Sequence, residues 1–287
     1  METNIDPKWG EWNPLHDPCI LAHFKTRPTD ILITTAPKAG TTWMQQILYQ
    51  LKTGGDDSFV SIDQVVPWLE LPRNNQSWQQ SLAYFEQLPN PRIFKTHCTY
   101  KQTPGVDTAR IILSSRDPRD CCVSFYHHVM SMTDAALKYF NMTRPQSFDE
   151  YFESWMSFGA WYRNVQSWWP HNNAANVLWL RYQDMVADLP TSVQQILSFL
   201  DWELDESKRD KILEYCSFPW MKHHTEKFVA RSETGKSLFK PGGFIRKGQV
   251  GDHNSLMSPK QEQQILDRAK AILPEDCLSF IGIRRMD

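Results

Sequence analysis

The stretch Ile31-Leu32-Ile33-Thr34-Thr35-Ala36-Pro37-Lys38-Ala39-Gly40-Thr41-Thr42-Trp43 reads as a strand, a tight turn and the start of a helix. Ile31 to Thr35 is apolar and β-branched enough for a strand buried on both faces. Trp43, Met44, Ile47, Leu48 and Leu51 then recur at helical spacing, and Gly54-Gly55 supplies the stop. A strand that turns directly into a helix makes an anion cradle. The turn exposes successive backbone N–H groups, the helix start adds partial positive charge, Thr41 and Thr42 offer hydroxyls, and Lys38 supplies a full charge. Because the lysine precedes the glycine, the order G-x-x-x-x-G-K-S/T of a standard ATPase or GTPase is not met. Lysine-glycine turns before helices also occur with no ligand, so the cradle by itself decides little.

Working outward, the runs 92–95, 110–115 and 176–180 read as three more buried strands, alternating with helical patterns. Val193, Ile196, Leu197 and Leu200 mark one amphipathic helix; Phe148, Phe152 and Trp155 mark another that Ser147 can cap. The expected fold is α/β, a central parallel sheet flanked by helices with a P-loop-like phosphate-binding turn. With no repeat, low-complexity tract or flexible linker, residues 1–287 read as a single domain.

The 287 residues are 41% hydrophobic, enough for a large core, and 31 basic side chains nearly balance 33 acidic ones. No global field draws the chain to nucleic acid or to an anionic membrane. Residues 1–30 hold no apolar run long enough for a signal-peptide core, and no stretch approaches the length that spans a bilayer, so a cytoplasmic protein is expected. Cys19, Cys98, Cys121, Cys122, Cys216 and Cys277 are scattered, with no CxxC pair and no Cys/His ligand spacing, which predicts reduced, mostly buried thiols and no metal. The sequons at Asn75 and Asn141 then carry no meaning.

Ligand sites in an open parallel sheet lie at the carboxyl ends of the strands. The second strand ends in Lys95-Thr96-His97, which puts an ammonium and an imidazole on one side of the sheet edge; a lone histidine there is otherwise structural. The third delivers Arg116, with Asp117 and Pro118 opening a helix that carries Ser124. Arg116 and Ser124 could clamp one phosphate, or Arg116 could pair with Asp117 or Asp120. Between Lys222 and Val250, seven basic residues (Lys222, Lys227, Arg231, Lys236, Lys240, Arg246, Lys247) face two acidic ones (Glu226, Glu233), and Pro241-Gly242-Gly243 disfavours regular structure. That segment reads as a mobile cationic loop.

In this order the motifs resemble the cytosolic sulfotransferase family, whose donor is 3′-phosphoadenosine 5′-phosphosulfate (PAPS), over most of the chain. Thr35 to Trp43 is similar to the family's 5′-phosphosulfate loop, Lys95-Thr96-His97 to its catalytic strand end, and Arg116 to Ser124 to its 3′-phosphate clamp. Phe244-Ile245-Arg246-Lys247-Gly248-x-x-Gly251-Asp252 resembles the R-K-G-x-x-G-D signature that closes over the donor. Phe158-Gly159-Ala160-Trp161, Trp168-Trp169 and Tyr182-Gln183-Asp184-Met185 also look like family segments. The resemblance implies that Lys38, Ala39, Gly40, Thr41, Thr42, Arg116, Ser124, Phe244, Arg246, Lys247 and Gly248 bind the donor. It further implies that Tyr182 touches the adenine side, that Trp43 and Phe218 sandwich the base, and that Met221 packs nearby.

Three departures stand out. Ala39 occupies a position where the family often has serine. Cys216, followed by Ser217, stands where a hydroxyl residue usually contacts the donor. The family's C-terminal dimer motif K-x-x-x-T-V-x-x-x-E falls on Asn254, Ser258, Pro259 and Gln263, so the family dimer is not expected.

The resemblance makes His97 the general base toward an acceptor hydroxyl or N–H. Lys38 and Lys95 would stabilise the leaving phosphate, with no metal called for. A kinase-like phosphotransferase, or a nucleotide-binding protein without turnover, are the alternatives. The acceptor would be a small molecule. Tyr84, Tyr126, Phe140 and Phe148 are candidate pocket residues or plain core.

Overall fold

The computed structural model describes residues 5–72, 76–231 and 235–283; Asn75 and Glu233 lie outside the described residues. Four parallel strands, β1 (Ile31–Ile33), β2 (Ile93–Lys95), β3 (Arg110–Ser115) and β4 (Val177–Arg181), form one sheet in the order β2-β1-β3-β4. Each expected strand is present. β1 is two residues shorter than the apolar run; Thr34 still donates to Ile112 O, and the chain then enters the turn.

Alternate residues of β1 feed opposite faces. Ile31 and Ile33 bury with Met44, Ile47 and Leu48 of the Thr41–Thr53 helix, while Leu32 buries with Phe85, Phe94 and Trp168 on the other side. Both faces are thus covered, as a parallel sheet requires. The chain order changes direction across the β1/β3 pair, which opens a crevice at the carboxyl ends of those strands. Register brings the strand ends level there, with Ile33 opposite both Lys95 and Ile112.

Local signals set the helices. Gly54 ends the Thr41–Thr53 helix in the left-handed region, φ 67°. Asp117 caps the Pro118–Ser131 helix by accepting from the Arg119 N–H, and Ser147 caps Phe148–Phe158 by accepting from Glu150. A buried ion pair, Arg92 to Asp30 at 2.6 Å, closes the opposite end of the sheet. Among the described residues no helix is long and apolar enough to cross a membrane.

Candidate active site

The turn after β1 is held rigidly. Lys38 has φ 67° and Gly40 φ 103°; a Cβ on Gly40 would lie 3.0 Å from the Tyr182 ring, so only glycine fits. The first bond of the helix runs from Met44 N–H to Gly40 O, leaving the preceding N–H groups ahead of the ladder as anion donors. Thr35 and Thr41 share a hydrogen bond between hydroxyls, 2.5 Å, which ties the strand end to the helix start. Ala39 lies behind the turn. Its side chain is fully buried in the core, its N–H donates to Ala36 O, and its carbonyl accepts from Ser114, so it shapes the turn and does not line the site.

The turn opens into a continuous cavity of about 800 Å³ at the β1/β3 crevice. Lys38, Lys95 and His97 line it together with Arg116 and Ser124. The same cavity is lined by Gly40, Thr41, Thr42 and Trp43 of the turn, and by Tyr182, Phe218 and Met221. Phe244, Arg246, Lys247 and Gly248 close it from the C-terminal side. Residues from six separate parts of the chain therefore face one space.

Electrostatics in this space are dominated by buried positive groups. Burial pushes Lys38 down to about pKa 7, aided by the charges of Arg116, Lys95 and Arg246, and its ammonium lies 3.2 Å from His128 Nδ1. Burial also lowers the pKa of His97, with Lys95 and Lys38 adding to the fall against the pull of Glu70 and of the Thr35 carbonyl. The His97 Nδ1–H donates to Thr35 O at 2.8 Å, and its main-chain N–H donates to Glu70 Oε1, also at 2.8 Å. Lys95 pairs with Asp63 at 3.3 Å and lies over the Trp68 ring, whose edge meets His97.

Of the two readings of Arg116, the pairing with Asp120 is present, and Arg116 lines the cavity together with Ser124. It sits 3.7 Å from Asp120, its guanidinium covers the Tyr182 ring at 4.7 Å, and Nη2 donates to Gln249 O. Its Nε is buried with no partner, an orphan donor in a cavity wall. Trp161 donates to the Arg116 carbonyl, so the Phe158–Trp161 segment braces the strand end. Trp43 donates to the Cys216 carbonyl at 2.7 Å, while the Cys216 thiol is buried and Ser217 lines the cavity in its stead.

The segment 222–250 is less uniform than its charge suggests. Lys222 and Lys227 sit in the helical turns Phe218–His223 and Thr225–Lys227. Lys222, Lys227, Arg231 and Lys240 donate to main-chain carbonyls, whereas Arg246 and Lys247 line the cavity. Those two pair with Asp252, Lys247 at 2.8 Å. Of the aromatic candidates, Phe140 lines the cavity. Tyr84 bonds to the Gln64 carbonyl, and Tyr126 and Phe148 pack on each other and on Tyr151.

A sulfotransferase-domain family model matches residues 28–273. The chain belongs to the sulfotransferase family. It is 31% identical to human sulfotransferase 1E1 over 269 residues, 90% of this chain and 88% of the relative. It is 32% identical to mouse sulfotransferase 4A1 over 206 residues, 68% of each. The fold resembles that of a retinol dehydratase solved in complex with retinol and PAP, with TM-score 0.70 and 21% identity, covering 92% of this chain and 85% of that one.

Several residues of this sulfotransferase's site escaped the sequence. His128, Trp68, Glu70 and Phe239 all line the cavity. His128 is half-buried and held well below its usual pKa, by desolvation first and then by Lys38, Lys95 and His97. Its position one turn beyond Ser124 on the Pro118–Ser131 helix was the available signal. The six cysteines are free, five of them buried.

Proposed function

We propose that the chain transfers a sulfuryl group from PAPS to a small-molecule acceptor, a hydroxyl or an N–H, with His97 as general base and Lys38 and Lys95 at the leaving phosphate. Family membership makes it a PAPS-dependent sulfotransferase; the residue roles and the acceptor are our reading. The single observation that carries the reading is the common cavity of His97, Lys38, Lys95 and Arg116.

The residues fit the donor. A depressed Lys38 and an unpartnered Arg116 Nε are what a site built for a multiply charged anion has before the anion arrives. PAPS supplies the activated sulfuryl group. The helix start at Thr41 and Thr42 holds the 5′ side, Arg116 and Ser124 read the 3′-phosphate, and Trp43 and Phe218 enclose the base next to Tyr182 and Met221. Phe244 to Gly248 covers the site.

His97 enters in its neutral form. Because the Thr35 carbonyl takes the Nδ1–H, the lone pair sits on Nε2, ready to remove the acceptor's proton. Lys38, protonated from solvent when the donor's phosphate binds beside it, faces negative charge that grows on the leaving oxygen, so its stabilisation grows toward the transition state. Lys95, steadied by Asp63 and Trp68, adds a second fixed charge. The reading calls for no metal in this step.

We read residues 1–287 as one such domain in the cytoplasm, which the free cysteines support. Changes at Asn254, Ser258, Pro259 and Gln263 argue against the family dimer. Neither the family match nor the relatives point to a kinase-like phosphotransferase. The test is formation of 3′-phosphoadenosine 5′-phosphate from PAPS with a panel of phenols, alcohols, steroids and amines in the presence of a chelator. Turnover that persists under chelation supports the reading. A strict magnesium requirement, or no product with any acceptor, overturns it.

A further inference from the structure

The cavity wall beyond His97 holds a second set of chemical groups. A ring nitrogen of His16, a carboxylate oxygen of Glu70 and the Cys98 sulfur lie within 4.8 Å of one another. They come from three segments far apart in the chain, which is why no ligand spacing marked them in the sequence. We propose that His16, Glu70 and Cys98 form a binding site for a zinc-class divalent cation, with a fourth coordination position open to the cavity.

Glu70 carries the argument. It is 2% exposed; Oε1 accepts from the His97 N–H, Oε2 is buried without a hydrogen bond of ordinary length, and the Cys98 thiol interacts with the carboxylate. A buried carboxylate with one oxygen so weakly held wants a cation. Cys98, 3% exposed, and His16 both lie beside it. The Trp9 carbonyl lies 2.5 Å from His16 Nε2 and so takes the Nε2 proton, which assigns the lone pair to Nδ1 for the metal. A carbonyl behind one ring nitrogen is the usual way a ligating imidazole is oriented.

The three backbones are already fixed. Asp17 N–H donates to Glu70 O at 2.8 Å, and Asn13 and His16 exchange main-chain bonds. The Cys98 carbonyl accepts from Trp168 and Asn164. Little ordering remains for a metal to impose. One sulfur, one imidazole and one carboxylate favour a borderline-soft ion over calcium or magnesium, which prefer oxygen alone. On binding, the Cys98 S–H bond breaks, its proton leaves to water, and the sulfur–metal bond forms. Thiolate and carboxylate then balance the two charges of the ion.

This inference does not rest on the proposed activity, and its test reads the metal directly. The full-length protein, stripped with chelator, is titrated with zinc against a chromophoric chelator, and separately with cobalt. Wild type should bind one equivalent, show a thiolate-to-cobalt charge-transfer band, and melt at higher temperature with zinc than without. Cys98→Ala should lose the band. Cys98→Ala and His16→Ala should each weaken zinc by about 10- to 100-fold or more and lose the thermal shift. Retained binding of 3′-phosphoadenosine 5′-phosphate checks that each variant is folded. Glu70→Gln repeats the test if either of the others fails that check. No saturable binding by wild type, or unchanged affinity in the folded variants, overturns the proposal.

Discussion

His97 donates its Nδ1 proton to the main-chain oxygen of Thr35 across 2.8 Å, so the residue that ends the cradle strand also sets the tautomer of the imidazole beside it. The two candidate halves of the site, anion cradle and base, are thus joined by one hydrogen bond.

His97→Ala is expected to lower turnover by about a hundredfold to ten-thousandfold, the usual worth of a general base. Affinity for 3′-phosphoadenosine 5′-phosphate should hardly change, because the imidazole acts on the acceptor. Steady-state kinetics with calorimetry on the same preparation separates the two; a near-normal rate removes His97 from the mechanism.

Lys38 yields a pH prediction. Its pKa falls from 10.5 to about 7 in the free protein, so between those values the unfolded chain holds a proton that the folded one does not. Stability therefore rises with pH across that window. Urea unfolding at pH 7 and 8.5 should show wild type gaining relative to Lys38→Met. A bound phosphate restores the proton, so binding of 3′-phosphoadenosine 5′-phosphate above pH 7 should take up a proton and weaken by up to about tenfold per pH unit. Calorimetry in buffers of different ionisation enthalpy reads that proton.

Arg116→Ala isolates the 3′-phosphate. Wild type should prefer 3′-phosphoadenosine 5′-phosphate over adenosine monophosphate by a wide margin, and the variant should lose about 1.5 to 3 kcal/mol of that preference or more. Its affinity for adenosine monophosphate should barely move. Equal binding of both nucleotides by wild type would sink the assignment.

Much of this site could be read from the chain. Strand, turn and helix from Ile31 to Leu51 announced themselves because hydrophobic period and turn chemistry are local. Lys95, His97 and Arg116 followed, since a parallel sheet brings its strand ends to one edge whatever separates them in sequence. What stayed hidden depends on packing between distant segments. The counting of charges in 222–250 could not tell that Lys227 reaches the carbonyls of Asp57 and Phe59 while Lys247 faces the cavity. Nor could composition separate Phe140, at the cavity, from Tyr126 and Phe148, in the core.

Asp120→Ala should destabilise the fold by about 3–5 kcal/mol, the cost of stripping one partner from a buried charge network. Its carboxylate accepts from the Gly251 and His253 N–H groups and from the His253 ring, and it also faces Arg116. Chemical denaturation measures the loss, and protease cleavage near Gly251 should quicken in the variant. A change below about 1 kcal/mol would show that the neighbouring segment is anchored by other contacts.

Arg246→Ala with Lys247→Ala should loosen 3′-phosphoadenosine 5′-phosphate and also lower the melting temperature, because it leaves the buried Asp252 carboxylate without its two cations. Unchanged affinity would return both side chains to plain solvated surface.

Under the proposed roles of Arg246 and Lys247, Asp252, which pairs with both cations, would be a resident rival of the nucleotide. Whatever a phosphate gains from Arg246 and Lys247 is net of what the aspartate gives up, so donor and spent nucleotide are both held less tightly than the raw charge would suggest. An enzyme that must discharge a highly anionic product after every cycle is served by such a built-in competitor, because the carboxylate is already at hand to receive the two cations as the product departs.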